Sequence, residues 1–190
     1  MTVVLVHGNP ESDAIWGPLA DALGRPDVVR LSPPGFGAPL PADFPATYVD
    51  YRDWLEGELA TIDGPIDLVG HDWGGPIGLA VVQHRPETFD RLVVTNTWAW
   101  PVTDPLIQVM SHVMGSPIGR LLIRQLNLFV NVMIPIGHRL TTPTSAQMDH
   151  YRKALDSPAR REGSAVFPRE ITSSREFLAD IEAGLEGIAA

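Results

Sequence analysis

Val69-Gly70-His71-Asp72-Trp73-Gly74-Gly75 follows a short apolar run, Ile66–Val69, and precedes a glycine-rich helical pattern, Gly75–His84. A small residue on either side of one polar side chain, between a strand and a helix, is the pattern of a sharp elbow that leaves the central side chain exposed at the bend. The glycines at 70 and 74 admit the tight turn. The following helix directs its positive end toward the bend. Here the exposed side chain is a carboxylate, Asp72, not a serine. A serine needs a base before it can attack, whereas a carboxylate is already anionic at neutral pH and can displace a leaving group from carbon directly.

Outward from this elbow, the first half of the chain alternates two patterns. Thr2–Val6, Val28–Leu31, Ile66–Val69 and Leu92–Thr95 are β-branched runs bounded by turn residues, the pattern of buried strands. Ser12–Leu23, Tyr48–Ile62 and Gly75–His84 have helical spacing; in the second, Tyr48, Tyr51 or Arg52, Leu55, Leu59 and Ile62 share one face. Strand and helix in alternation predict an α/β fold with a mostly parallel sheet and right-handed crossovers. The elbow then lies at the carboxyl end of a parallel strand, where ligands of such sheets collect.

From Pro101 the strands stop. Pro105–Met114, Ser116–Met133 and Thr144–Leu155 predict a helical insertion, a cap over the sheet, with Gly163–Ile171 as a loop or turn segment. A last helix is expected to open at Ser173, spaced from Glu176 as a capping box, with Phe177, Ile181, Leu185 and Ile188 as its apolar stripe. The expected division is a core over 1–100, a cap over 101–168 and a return to the core over 169–190.

Composition narrows the function classes. The 190 residues fit one domain, and the net charge of −9 offers no basic patch for nucleic acid. Without cysteine, thiol catalysis, disulfides and thiolate metal sites are excluded, and cytoplasmic residence is the default expectation. No secretion signal is expected at Met1–Val6. The apolar stretch from Pro105 to Gly137 is interrupted by Arg120, Arg124, Pro117 and Pro135, so a buried helical hairpin is expected, not a membrane segment. No cluster of His, Asp or Glu has metal-ligand spacing, and no cofactor is implied.

A second motif, His7-Gly8-Asn9-Pro10, follows the first strand. At this position the backbone N–H of Asn9 can form an oxyanion hole with the N–H of Trp73. The Asn9 amide and the Trp73 indole N–H are also two donors that can converge on one departing anion. Taken singly, Asp72 has a duller role as a helix N-cap, Asn9 as a turn residue and Trp73 as packing. As a set flanking one carboxylate they read better as a nucleophile with a cradle for a halide.

These residues, with Arg91–Pro101 (RLVVTNTWAWP), Tyr151-Arg152 and Val166-Phe167-Pro168-Arg169-Glu170-Ile171, resemble the α/β-hydrolases, and among them the haloalkane dehalogenases. The likeness runs over most of the chain. It implies that Asp72 attacks a halogen-bearing carbon and that halide leaves between Asn9 and Trp73. An alkyl ester then forms on the enzyme, for water to hydrolyse. Trp98, Phe167 and Pro168 would line a pocket for a small apolar, halogenated substrate.

Relative to that family the sequence looks short at both ends. The family's opening β-hairpin would precede Met1, and the late strands and the loop carrying its catalytic histidine would follow residue 190. None of the six histidines, His7, His71, His84, His112, His138 and His150, has the late position. Where some members place the acid stands Asn96, with Asp104 a few residues on as a substitute candidate. Displacement needs only Asp72, Asn9 and Trp73; hydrolysis of the ester needs a base that is not assignable here. Two other readings stay open. One is an epoxide hydrolase-like enzyme, for which Tyr151 is the sole cap tyrosine where two are expected. The other is a catalytically inactive truncated domain that binds an apolar ligand or a partner chain.

Overall fold

A computed structural model describes residues 1–138 and 140–188; position 139 of the expected cap and 189–190 of the expected return segment lie outside the described residues. Four strands, β1 (Thr2–Val6), β2 (Val28–Leu31), β3 (Ile66–His71) and β4 (Phe89–Thr95), form one parallel sheet in the order β2-β1-β3-β4. The chain leaves β1 toward β2 on one side and returns to β3 on the other, so the order reverses between β1 and β3. A crevice forms at such a point, outside the carboxyl ends of the strands. The register sets Val6 opposite Gly70, so the segments after β1 and β3 emerge side by side.

Side-chain alternation divides the core. Val4, Val6, Ile66 and Leu68 face α2 (Tyr48–Leu59), α3 (Gly74–His84) and α9 (Arg175–Ile188), while Val3 and Leu5 pack with Trp16 on the opposite face. Helix α2 buries Tyr48, Tyr51, Leu55 and Leu59, as its spacing predicts, and opens on a reciprocal capping box between Thr47 and Asp50. In α9, Leu178 and Ile181 are buried and Phe177, Leu185 and Ile188 pack beside them.

After β4 the described chain is helical: α4 (Pro105–Gly115), α5 (Pro117–Leu126), α6 (Ile134–Gly137), α7 (Ser145–Ala154) and α8 (Glu162–Ser173). No single described helix is long and apolar enough to cross a membrane, and the apolar α4–α5 pair is bent by 73° at its junction. Helix α4 packs on α8, where buried Ser111 donates to the Pro168 carbonyl at 2.6 Å.

Several elements differ from the sequence expectation, each for an identifiable reason. The helix expected over Ser12–Leu23 splits into a 3-10 turn, Asp13–Trp16, and α1 (Gly17–Leu23), because Pro18 carries no N–H to continue the first ladder. The helix expected over Ser116–Met133 ends at Asn127, which turns left-handed (φ 50°) and donates its side-chain amide to Leu155 O at 3.1 Å. A π-helical turn, Phe129–Met133, follows. Gly163–Ile171 is not a loop but the body of α8, with Pro168 inside the helix and the 168/169 boundary crossed without a break. Burying Gly163, Ser164, Ala165, Phe167, Pro168 and Glu170 on one element outweighs the interior proline, which costs about 3 kcal/mol. The capping box expected from Ser173 to Glu176 is absent: Ser173 and Ser174 both turn their hydroxyls back to the Glu170 carboxylate, at 2.9 and 2.6 Å.

Candidate active site

The elbow is formed by backbone strain and close approach. Asp72, between β3 and α3, sits at φ 50°, a conformation that favours glycine and that aspartate tolerates better than most residues. The Thr97 hydroxyl donates to the Asp72 carbonyl at 2.6 Å and anchors the turn from the β4 side. A Cβ on Gly8 would collide with the Asp72 carboxylate and the Trp73 nitrogen, and one on Gly74 with the Val6 carbonyl. The two motifs therefore need glycine where they meet.

That approach brings the Asn9 N–H within 2.7 Å of Asp72 Oδ1. The Trp73 N–H lies close enough to the carboxylate to favour its charged form. Burial dominates the electrostatics and pushes Asp72 up to about 6; the two backbone donors pull against it, Glu11 adds to the rise and His71 opposes it. The Asn9–Pro10 peptide is cis.

An aromatic wall surrounds the elbow. Trp73 is buried, and its ring lies 4.6 Å from Phe167, 4.8 Å from Trp98 and 4.6 Å from Tyr48, centroid to centroid. Phe167 stacks in turn on Tyr51 at 4.8 Å and meets Phe36 at 5.2 Å. Of the three expected wall residues, Trp98 and Phe167 thus flank Trp73, whereas the Pro168 carbonyl is engaged by Ser111 of α4. Two clefts are lined by residues of this cluster or of the His7–Pro10 motif, and neither contains Asp72. One of ≈ 330 Å³ is lined by Trp98, Trp100, Val102, Ile107 and Ile171; the other, of ≈ 340 Å³, lies beside Pro10 against Phe129, Met133 and Ile134. A third cleft of ≈ 510 Å³, between α4 and the α8–α9 junction, lies apart from the elbow, lined by Gln108, His112, Arg169 and Arg175.

The histidines have other engagements. His7 bonds to the Gly8 carbonyl and the Ser32 hydroxyl, and burial holds it down at about 4, so it is neutral at physiological pH. His71 pairs with Glu11 at 3.1 Å. His84 faces Glu56 at 3.7 Å. His112 and His138 contact the carbonyls of Gln108 and Ile134, and His150 meets the Tyr151 ring edge-on. Asp104, the substitute acid candidate, instead caps α4 by accepting from Leu106 N and Ile107 N. Among the described residues no group of His, Asp or Glu is arranged to hold a metal ion.

Two residues escaped the sequence reading. Tyr48 looked like an ordinary core position of α2, yet its hydroxyl is buried without a partner among the described residues, its ring stacks on Phe177 at 4.6 Å, and burial raises its pKa far above the usual value. Glu11 drew no reading from the sequence; its pairing with His71 crosses from one motif to the other and has no signal in either alone.

The model of the alpha/beta hydrolase family matches residues 3–186. The chain belongs to this family. Among curated members, haloalkane dehalogenase 2 of Mycobacterium tuberculosis (strain ATCC 25618 / H37Rv) is 35% identical over 186 residues, which are 93% of this alpha/beta hydrolase and 63% of the relative. The cis-3-alkyl-4-alkyloxetan-2-one decarboxylase of Shewanella oneidensis is 29% identical over 201 residues, covering 98% of this chain and 63% of that enzyme. The chain thus spans somewhat less than two thirds of the length of these relatives. Among solved structures, the haloalkane dehalogenase DbeA from Bradyrhizobium elkani superposes with a TM-score of 0.83 at 21% identity, over 98% of this chain and 69% of its own, which establishes the shared fold.

Proposed function

We propose that this alpha/beta hydrolase is haloalkane dehalogenase-like and that its 190 residues carry the displacement half of that reaction. One observation carries the reading: the carboxylate at the elbow is held through Oδ1 by the Asn9 N–H at 2.7 Å, inside an aromatic wall. With Oδ1 fixed, the second oxygen of Asp72 is the attacking atom. It forms a bond to the halogen-bearing carbon as the carbon–halogen bond breaks, and halide leaves toward the Asn9 amide and the Trp73 indole N–H. The product is an alkyl ester whose carbonyl oxygen is Oδ1, already facing the backbone donors that would stabilise an oxyanion during hydrolysis.

The substrate is small and apolar. Trp98, Phe167 and Pro168 form its walls, with residues 101–168 acting as the cap over a core of 1–100 and 169–190. The identity to haloalkane dehalogenase 2 supports this choice of leaving group. The epoxide alternative is less well supported, because Tyr151, which packs with the Val130, Met148 and Leu155 cluster, is the sole tyrosine of the cap where two are expected.

Hydrolysis of the ester needs a base on the attacking water, and the six histidines are all engaged as described above, none of them hydrogen-bonded to Asp72. The 190-residue chain is therefore expected to release about one equivalent of bromide from a small dibromoalkane and then stop. Bromide titration over several hours measures this. Release far beyond one equivalent overturns the half-reaction, and no release above that of Asp72→Ala overturns the nucleophile.

A further inference from the structure

The segment after β1 and the segment after β3 are joined twice. The Asn9 N–H donates to Asp72 Oδ1 at 2.7 Å. Two residues on, the Glu11 N–H closes a turn onto Gly8 O at 3.2 Å, and its carboxylate meets His71 Nδ1 at 3.1 Å. Both side chains are largely shielded, His71 at 24% and Glu11 at 13% exposure, and the facing atoms, Nδ1 and Oε2, are buried and approach as an ion pair, without an aligned hydrogen bond. The Trp16 ring meets the His71 ring edge-on at 6.2 Å and limits its rotation. The chemistry at Asp72 makes no use of this pair, yet it stands one residue from the carboxylate and two from its donor.

We propose that Glu11 and His71 form a charge-balanced clamp for the elbow: the pair ties the Asn9 segment to Asp72, and His71 neutralises a shielded carboxylate that would otherwise stand beside the nucleophile. This rests on Asp72 being the nucleophile. The charged and titratable groups around the pair fit the assignment. Pairing with Glu11 raises His71 above its ordinary range, and the charge of Asp72 adds to the rise. Tyr151 of α7 lies near enough for Glu11 to raise it, after burial, and it stays neutral. His7, with Glu11, Asp13 and His71 around it, is held uncharged by burial. His71 is thus the cation that acts on Asp72 from this side, and Glu11 the anion.

The assignment predicts an ordered series that a merely structural role would not produce. Wild-type Asp72 ionises near pH 6. His71→Gln leaves Glu11 unbalanced and moves the midpoint up by about half to one pH unit, the size expected for one shielded charge a few ångströms away. Glu11→Gln removes the anion that adds to the rise of Asp72 and moves the midpoint down. The double variant, with no charge at either position, returns to within about 0.3 unit of wild type. Two readouts are measured on the 190-residue chain: the pH dependence of Asp72 alkylation by a bromoalkane, and the carboxyl carbon-13 titration of Asp72, which needs no reaction. The ordered series in both supports the clamp. Unmoved midpoints, or a double variant displaced as far as His71→Gln, overturn it. If no variant is alkylated, the nucleophile reading fails, and the carbon-13 series still decides whether the pair sets the charge at Asp72.

Discussion

At residue 72 the demands of the proposed reaction and of stability conflict. Burial favours the neutral acid, while attack on carbon needs the anion. Asp72 titrates near 6, so its folded-state pKa lies above the 3.8 of a free aspartate. The folded protein therefore holds this proton more tightly than the unfolded chain does. The group's contribution to stability is complete below pH 3.8 and is lost as pH rises through about 6. Asp72→Asn keeps an oxygen for the Asn9 donor, tolerates the left-handed backbone and carries no charge. It is expected to exceed wild type in stability by roughly 2 kcal/mol at pH 8, with the difference shrinking toward zero at pH 4. Urea unfolding at the two pH values measures this. A constant difference would mean that burial does not strain the carboxylate.

At the scale of elements, the sequence was informative where one pattern dominated and silent where two competed. The four strands and the parallel sheet were legible because Thr2–Val6 and Ile66–Val69 are uninterrupted β-branched runs between turn residues. The elbow was legible because few junctions put glycine on both sides of an aspartate. Helix α8 was not legible: Pro168 argues against a helix locally, and only the burial of Phe167 and Ala165 against the rest of the fold reverses that. The break at Asn127 was equally hidden, since its reason is an acceptor at Leu155, distant in sequence. The aromatic wall was legible only in part. Trp98 and Phe167 carried a family signal, whereas Tyr48 and Glu11 depend on which segments the fold brings together.

Arg161 shows how these helices are held. It is buried and donates from Nε to Leu155 O at 2.7 Å and from Nη1 to Arg124 O at 2.7 Å, joining the ends of α5 and α7 at the start of α8. Truncation to alanine strands these carbonyls without their charged donor and is expected to cost about 3 kcal/mol. Lysine cannot reproduce the fork and should recover little of the loss. Thermal melts of the two variants read this directly; a full recovery by lysine would mean that charge alone matters.

At the scale of the whole molecule, β4 is an edge of the described sheet. Its Val93 and Val94 are about half exposed, at 51% and 43%, opposite Val69 and Gly70 of β3. An open edge with exposed valines is a template for pairing with another chain. Apolar side chains on α4 and α5, among them Leu106, Val109, Ile118 and Leu121, add to the uncovered surface. The 190-residue chain is expected to self-associate with rising concentration, and Val94→Lys to weaken that association. Sedimentation velocity over a hundredfold concentration range reads both; a monomer at every concentration would show that the edge is inert.

All three scales converge on whether Asp72 attacks carbon. The most direct measurement is the intact mass of the chain after incubation with a small dibromoalkane at pH 8, with fragmentation to locate any added group and Asp72→Ala as control. One bromoalkyl group per chain is expected, on Asp72, absent from the variant and persistent over hours. An unmodified wild-type chain with intact near-ultraviolet circular dichroism, or an adduct on any other residue, would contradict it.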